Sequence, residues 1–312
     1  MSEILFQTYR SNGSRMHVSG LVGNAVSGIA FGSSPGDNLR ARAESIERFW
    51  YHYGPSADMK VWRLDRSKGR IIVAKDTRKG PYRSDSSGLA VHTSQAMAIE
   101  AASLEFIERQ SLVAHWSLGT PGQAVAIPEV LPPRMQKGYV ELRDISLFHG
   151  IHVILALYSS TETTVKYSAG ASASPNFGEA VRKALEECEQ GHFLMEDNLE
   201  RINSRRNLVD EIQDNYVTYN SPGTIHLWPA IERDYADKPK AGSQKALEIL
   251  SSLDDPPFAV SDNVFWDGVQ FHVCRIFSDS WYTGLHDTNR LPTAIQSIAD
   301  ITRRTREYVP FG

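Results

Sequence analysis

Residues 93–116 read TSQAMAIEAASLEFIERQSLVAHW. The run is rich in Ala, Leu, Ile, Met, Glu and Gln, all good helix formers, and holds no Gly or Pro. It therefore predicts a helix, with Thr93 or Ser94 as the cap. Most of its circumference is apolar or small, so the helix is expected to be buried. Yet Glu105, Glu108 and Arg109 stand inside it at i, i+3 and i+4, which puts them on one face. Buried charges are costly unless paired or bound to a metal.

The same arrangement occurs about sixty residues earlier. AESIERFW, residues 43–50, sets Glu44, Glu47 and Arg48 at the same spacing among Ile46, Phe49 and Trp50. Its host, 38–51, predicts a helix opened by Asp37 or Asn38. KALEECEQGH, within a predicted helix over 177–200, adds Glu187 and Gln190 at i, i+3. Paired carboxylates beside an arginine suit a magnesium–phosphate site. Mg²⁺ takes oxygen ligands and leaves positions for water and phosphate, and guanidinium grips phosphate oxygens bidentately. The competing reading is a solvated i, i+4 ion pair worth a few tenths of a kcal/mol. From the pattern alone both stand.

The rest of the chain narrows the class. With 312 residues, 41% apolar and 22% charged, it has ample material for a core and is not a disordered composition. The net charge of −4 gives no basic surface for nucleic acid. Two cysteines, Cys188 and Cys274, stand far apart in no metal spacing, which fits a reducing cytoplasm. Cys188 and His115 read as packing residues. No secretory signal is read in MSEILFQTYR, and SGLVGNAVSGIAF is too broken and short to span a membrane. There is no GxxxxGK[ST], no GxGxxG after a strand and no GxSxG. PAIERDY, 229–235, lacks the earlier glutamate and is set aside.

Strand patterns fall at YVELRDI, at GIHVILALYSS (nearly all apolar and so central) and at TTVKYSAGASA. A hairpin is expected in MKVWRLDRSKGRIIVAKD, turning near Lys68-Gly69, and another in VFWDGVQFHVCRIFS. Further helices are expected at 242–253 and from Pro292 to Arg306, and 201–260 reads as more polar and irregular. Strands and helices alternate in groups, which predicts an α+β fold with mixed sheet in one domain over 1–312.

Three segments together resemble the YcaO family. SSGLAVHTSQAMAIEAASLEFIERQSLVAHW is similar to its hallmark turn and Glu-x-x-Glu-Arg helix. AESIERFW resembles its first ATP-binding helix. KYSAGASASPNFGEAVRKALEECEQGH resembles its third motif, a small-residue turn followed by a helix with Glu-x-x-Gln. EFIERQSL, KYSAG and VPFG look most like the cyclodehydratase subunit of microcin-type thiazole/oxazole synthetases. The resemblance implies a YcaO-type fold binding ATP and Mg²⁺. Glu44, Glu47, Glu105, Glu108 and Glu187 would hold the metal or order phosphates, and Arg48, Arg109 and Gln190 would contact ATP. The Gly312 carboxylate would act as a catalytic group.

The implied reaction is cyclodehydration of Cys, Ser or Thr in a ribosomally made precursor peptide to a thiazoline or oxazoline. Alternatives are thioamide or amidine formation, or a non-catalytic scaffold. The implied partners are the precursor, a peptide-binding subunit resembling ubiquitin-activating enzymes and a flavin-dependent dehydrogenase; a dimer is expected. Departures from the family pattern fall at Arg40, Ala90, Thr93 and Met97.

Overall fold

The computed structural model describes residues 4–11, 14–21, 27–31, 36–53, 60–64, 86–120, 122–204, 220, 231–232, 245–266, 268–278, 280–282 and 292–298. The chain folds into two compact units, Met1–Phe106 with Lys245–Gly284, and Ile107–Gln244 with Leu285–Gly312. The α+β expectation holds: among the described residues, sheets of three, five and four strands are combined with helices.

The first unit opens with an antiparallel sheet, β1 (Ile4–Ser11), β2 (Ser14–Leu21) and β3 (Ser27–Phe31). These strands have no counterpart in the expectations from sequence. Helix α1 (Asp37–Tyr53) packs on β2 and β3, and also on β5 (Leu89–His92). The four-stranded sheet runs β4 (Lys60–Arg63), β11 (Phe258–Trp266), β12 (Val269–Phe277), β5, all antiparallel. The second hairpin is as expected. β4, however, pairs with β11, about two hundred residues away, and the second arm of the first expected hairpin lies outside the described residues. Strand alternation turns Leu89, Val91, Val260, Phe271 and Val273 into one core with Ile46 and Trp50 of α1. Gly88 makes the turn into β5 with φ +71°, and its carbonyl accepts the Ile276 N–H at 2.8 Å. A Cβ there would lie 2.3 Å from the Ile276 carbonyl oxygen, so the turn requires glycine.

Helix α2 (Gln95–Val113) follows β5, its first turn closed by the Ser94 carbonyl accepting Ala98 N–H at 2.9 Å. In the first unit, α2 also serves as a cap. The Glu100 carboxylate accepts the Ala246 and Leu247 N–H groups, at 2.7 and 3.3 Å, at the start of α4 (Ala246–Ser251). Phe106 meets Trp281 edge-to-face at 5.8 Å. A π turn, Ala114–Leu118, ends the helical run, and Gly119 closes it in the left-handed region.

The second unit is built on a mixed sheet in the order β10 (Ile231–Glu232), β6 (Gly122–Val125), β7 (Tyr139–Asp144), β8 (His152–Ser159), β9 (Tyr167–Ser174). Among the described residues only β10–β6 is parallel. β8 lies inside the sheet and is almost wholly buried, as its apolar run predicts. α3 (Phe177–Ser204) covers β8 and β9, and α5 (Thr293–Ile298) occupies the described part of the expected last helix. Ala180, Val181, Ala184, Leu185 and Cys188 of α3 pack against Ile154, Ala156 and Tyr158 of β8 and Val140 and Leu142 of β7. His115 is the core histidine expected: it is fully buried, with Nδ1 2.6 Å from the Thr120 carbonyl and Nε2 3.2 Å from Arg143.

α3 approaches β9 so closely that Gly170 has no room for a side chain. A Cβ there would stand 2.3 Å from Cys188 N and 2.5 Å from Ala184 O. Because both are helix backbone atoms, Gly170→Ala is expected to destabilise the protein by roughly 1–3 kcal/mol. The denaturant midpoint would show it, whereas the same change at exposed Gly268 is limited to the cost of its positive φ.

Candidate functional site

The site rests on β9. Its sequence, YSAGASAS, is small and buried throughout, and β9 is the last strand of its sheet. An edge strand leaves a row of N–H and C=O groups that must find partners. Here side chains supply them. Asn220 Oδ1 accepts the Lys166 and Tyr167 N–H groups at 2.7 and 2.9 Å, and its Nδ2 donates to Tyr167 O at 3.1 Å. Glu187 Oε2 accepts Ala171 N–H at 2.9 Å, and Glu108 Oε2 accepts Ala173 N–H at 3.2 Å. These amides are two residues apart on the strand, about 7 Å along one edge.

The helices reach this edge for local reasons. α3 seats on the small residues of β9, with Ser168 Oγ donating to Cys188 O at 2.6 Å. Cys188 is wholly buried, which pushes its thiol up to about 12. It is a packing residue, as its sequence context suggests. On α2, Phe106, Ile107 and Leu112 are buried, as is Glu108, which is 6% exposed. Arg109 Nη1 donates to Glu108 Oε1 at 2.9 Å, so the buried carboxylate has both a cation and an amide as partners. Glu187 is exposed, and Gln190 is half-buried one turn on.

In the first unit, the α1 triplet is more open than its apolar neighbours suggest. Arg48 Nη2 donates to Glu44 Oε1 at 2.6 Å, with the arginine side chain 45% exposed. Glu47 is half-buried. Ile46 and Trp50 hold the opposite face in the core, and Trp50 Nε1 donates to Asp262 Oδ2 at 3.2 Å. Glu105 is half-buried one turn before Glu108 on α2. Of the positions that depart from the family pattern, Arg40, Thr93 and Met97 are exposed, while Ala90 is buried on β5 opposite Cys274. Gly312 lies outside the described residues.

Asp262, Asn220 and Glu100, which seat these elements, are not among the residues singled out from sequence. Asn220 falls in a stretch that reads as irregular, and the other two resemble ordinary surface acids. Only the pairing of distant segments reveals them.

Among the described residues, no three His, Cys, Asp or Glu side chains converge as a closed metal cage. Mg²⁺ at phosphate sites takes one or two carboxylates and completes its shell from phosphates and water. Two hard, anchored carboxylates beside an arginine fit that demand.

The family model described as YcaO cyclodehydratase, ATP- and Mg²⁺-binding, matches residues 70–278. The chain belongs to the YcaO family. The resemblance read from the three motifs is thereby confirmed, and with it membership of a cyclodehydratase family that uses ATP and Mg²⁺. A similar curated relative is the microcin B17-processing protein McbD of Escherichia coli, 27% identical over 162 residues. That match covers 48% of this chain and 41% of McbD. The YcaO fold is shared with a chain of the E. coli microcin synthetase McbBCD complex with pro-MccB17 bound, at TM-score 0.73 and 15% identity over 98% of this chain and 96% of that one. It is shared also with YcaO from Methanopyrus kandleri bound with AMPPCP and Mg²⁺, at TM-score 0.57 and 16% identity over 88% and 85%. Among the described residues, no helix of this YcaO protein is long and apolar enough to cross a membrane.

Cys274 is buried as well, and desolvation likewise raises its thiol to about 12. Both thiols therefore stay protonated at neutral pH. Alkylation with iodoacetamide at pH 7.5, read by intact mass, is expected to label neither cysteine in the native protein and both in denaturant. Rapid labelling of native Cys188 would contradict its packing role.

Proposed function

We propose that this protein is the ATP-dependent cyclodehydratase subunit of a peptide-modifying synthetase. The observation that carries the reading is the pair Glu108 and Glu187, one from each of two family helices, anchored side by side on the edge of β9. In the proposed reaction a Cys, Ser or Thr side chain of the precursor attacks the preceding backbone carbonyl. ATP, bound with Mg²⁺, supplies the phosphoryl group that captures the resulting oxyanion and departs as phosphate, leaving a thiazoline or oxazoline. Phosphoryl transfer asks mainly for positioning and charge neutralisation, and that is what these side chains are suited to give. Glu108 and Glu187 hold metal through carboxylates whose orientation the strand amides fix, with Glu105, Glu44 and Glu47 as the remaining acidic groups. Arg109 and Arg48 meet phosphate oxygens, and Gln190 contacts the nucleotide. The Gly312 carboxylate is assigned the proton acceptor.

The partners proposed rest on the family resemblance; the likeness to a microcin B17-processing protein and to a chain of a synthetase complex with its precursor bound supports a precursor and partner subunits. They are a precursor peptide, a peptide-binding subunit resembling ubiquitin-activating enzymes and, downstream, a flavin-dependent dehydrogenase, with the protein acting as a dimer in the cytoplasm. The reconstituted complex, given ATP, Mg²⁺ and precursor, is expected to remove one water per ring formed, read by mass spectrometry, and to release phosphate in step. Glu108→Gln should lower the rate by at least about a hundredfold, as loss of a group that neutralises transition-state charge does. An intact complex that binds the precursor but neither dehydrates it nor consumes ATP would instead identify a scaffold subunit.

A further inference from the structure

We propose that Arg134 is a positioning residue, which grips α3 from behind and so fixes the direction in which Glu187 and Gln190 point. This rests on the metal and nucleotide roles proposed above for those two residues. Arg134 stands on a 3-10 turn, Pro133–Lys137, between β6 and β7. The turn is stiff: Pro132 and Pro133 open it, Pro132 O accepts Met135 N–H at 2.9 Å, and Met135 is fully buried in the core beneath α3. Arg134 is itself only 7% exposed. Its Nε donates to Glu196 Oε2 at 3.0 Å, Nη1 lies 3.9 Å from Glu189 Oε1, and the guanidinium sits 4.8 Å from the centre of the Phe193 ring. A single buried cation is thus held by three residues of one helix spanning two turns.

At 100° per residue, Glu189, His192, Phe193 and Glu196 all lie within about 60° of the line opposite Glu187. Arg134 therefore holds the back of α3 while β9 holds its front, through Ala171 N–H on Glu187 and Ser168 Oγ on the Cys188 carbonyl. Val181, Leu185 and Cys188 seat α3 on the large side chains of β7 and β8, while residues 168–174 of β9 are all Ser, Ala or Gly and give the helix nothing large to key into beside Glu187. On the back, His192 Nδ1 also stands 3.7 Å from Glu196 Oε1, beyond hydrogen-bond distance. His192 is 2% exposed and faces Tyr158 edge-to-face at 4.9 Å, and neither of its ring nitrogens has a hydrogen-bond partner among the described residues. The guanidinium fork is the directional element on that side. Groups hydrogen-bonded directly to a metal ligand typically contribute 10–100-fold to metal affinity; Arg134 acts on Glu187 one step further back, through the helix.

The test uses the full-length protein and two readouts. The first is hydrogen exchange at the amides of Ala171, which Glu187 caps, and Ala173, which Glu108 caps. Arg134→Met is expected to speed exchange at Ala171 and leave Ala173 unchanged, a split that general loosening of the unit would not produce. The second is binding of Mn²⁺ with ATP, followed by electron paramagnetic resonance. Arg134→Met should weaken it by up to about tenfold, the low end of the range for direct partners of a ligand, and Arg134→Lys, which keeps the charge but not the fork, should recover part of the loss. If Arg134→Met does not fold, the same pair of amides is read in Arg134→Lys. The proposal is overturned if folded variants keep wild-type protection at Ala171, or if Ala171 and Ala173 lose protection together. Wild-type protein that binds no Mn²⁺·ATP would defeat the proposed function, while the amide comparison would still decide whether Arg134 sets the seat of α3.

Discussion

The unfinished edge of β9 is the constraint around which the second unit is arranged. A buried strand at the end of a sheet must have its outward amides satisfied, and here the partners are carboxylates and one carboxamide. The small residues of β9 follow from the same need, since only Gly170 and its Ala and Ser neighbours let α3 come near enough for Glu187 to reach Ala171. A hydrogen bond from an amide to an ionised carboxylate contributes about 1.5–3 kcal/mol. Glu108 and Glu187 thus stabilise the fold at the positions where the family's acidic helices converge on it.

Structural capping and metal binding are compatible roles for these groups. An ionised carboxylate presents about four lone-pair sites on two oxygens, so one amide bond orients it without exhausting it. Anchoring fixes the two carboxylates to amides roughly 7 Å apart along the strand. The buried arginine beside Glu108 offsets the cost of removing that charge from water. In the first unit, Glu44 and Arg48 instead form the half-solvated pair that the simpler reading of the motif describes.

Much of this was legible in the sequence because it is local. The burial of Glu108 follows from the apolar residues that surround it in EFIERQS, and α3, β7, β8, β9 and the β11–β12 hairpin follow from periodicity. The family was legible because three short motifs recur in order. What escaped depends on distant pairing. β4 joins β11, and nothing near Lys60 signals that partner. β1 to β3, built from mixed polar and small residues, carry a weak alternation. Asn220 sits in a polar stretch with no periodicity, so its use as a substitute strand partner for Tyr167 appears only in three dimensions. Arg134 lies in PPRMQKG, a stretch with no motif or periodicity to single it out, and its burial is set by a helix more than fifty residues later in the chain.

The central claim is that the edge of β9 carries a metal-dependent nucleotide site. It is tested most directly by calorimetry of the wild-type protein with ATP, in the presence of Mg²⁺ and again with the metal chelated. The account predicts saturable binding that requires Mg²⁺ and is lost in Glu108→Gln and in Glu187→Gln while the fold is retained. ATP binding that is indifferent to both the metal and the two glutamates would contradict it.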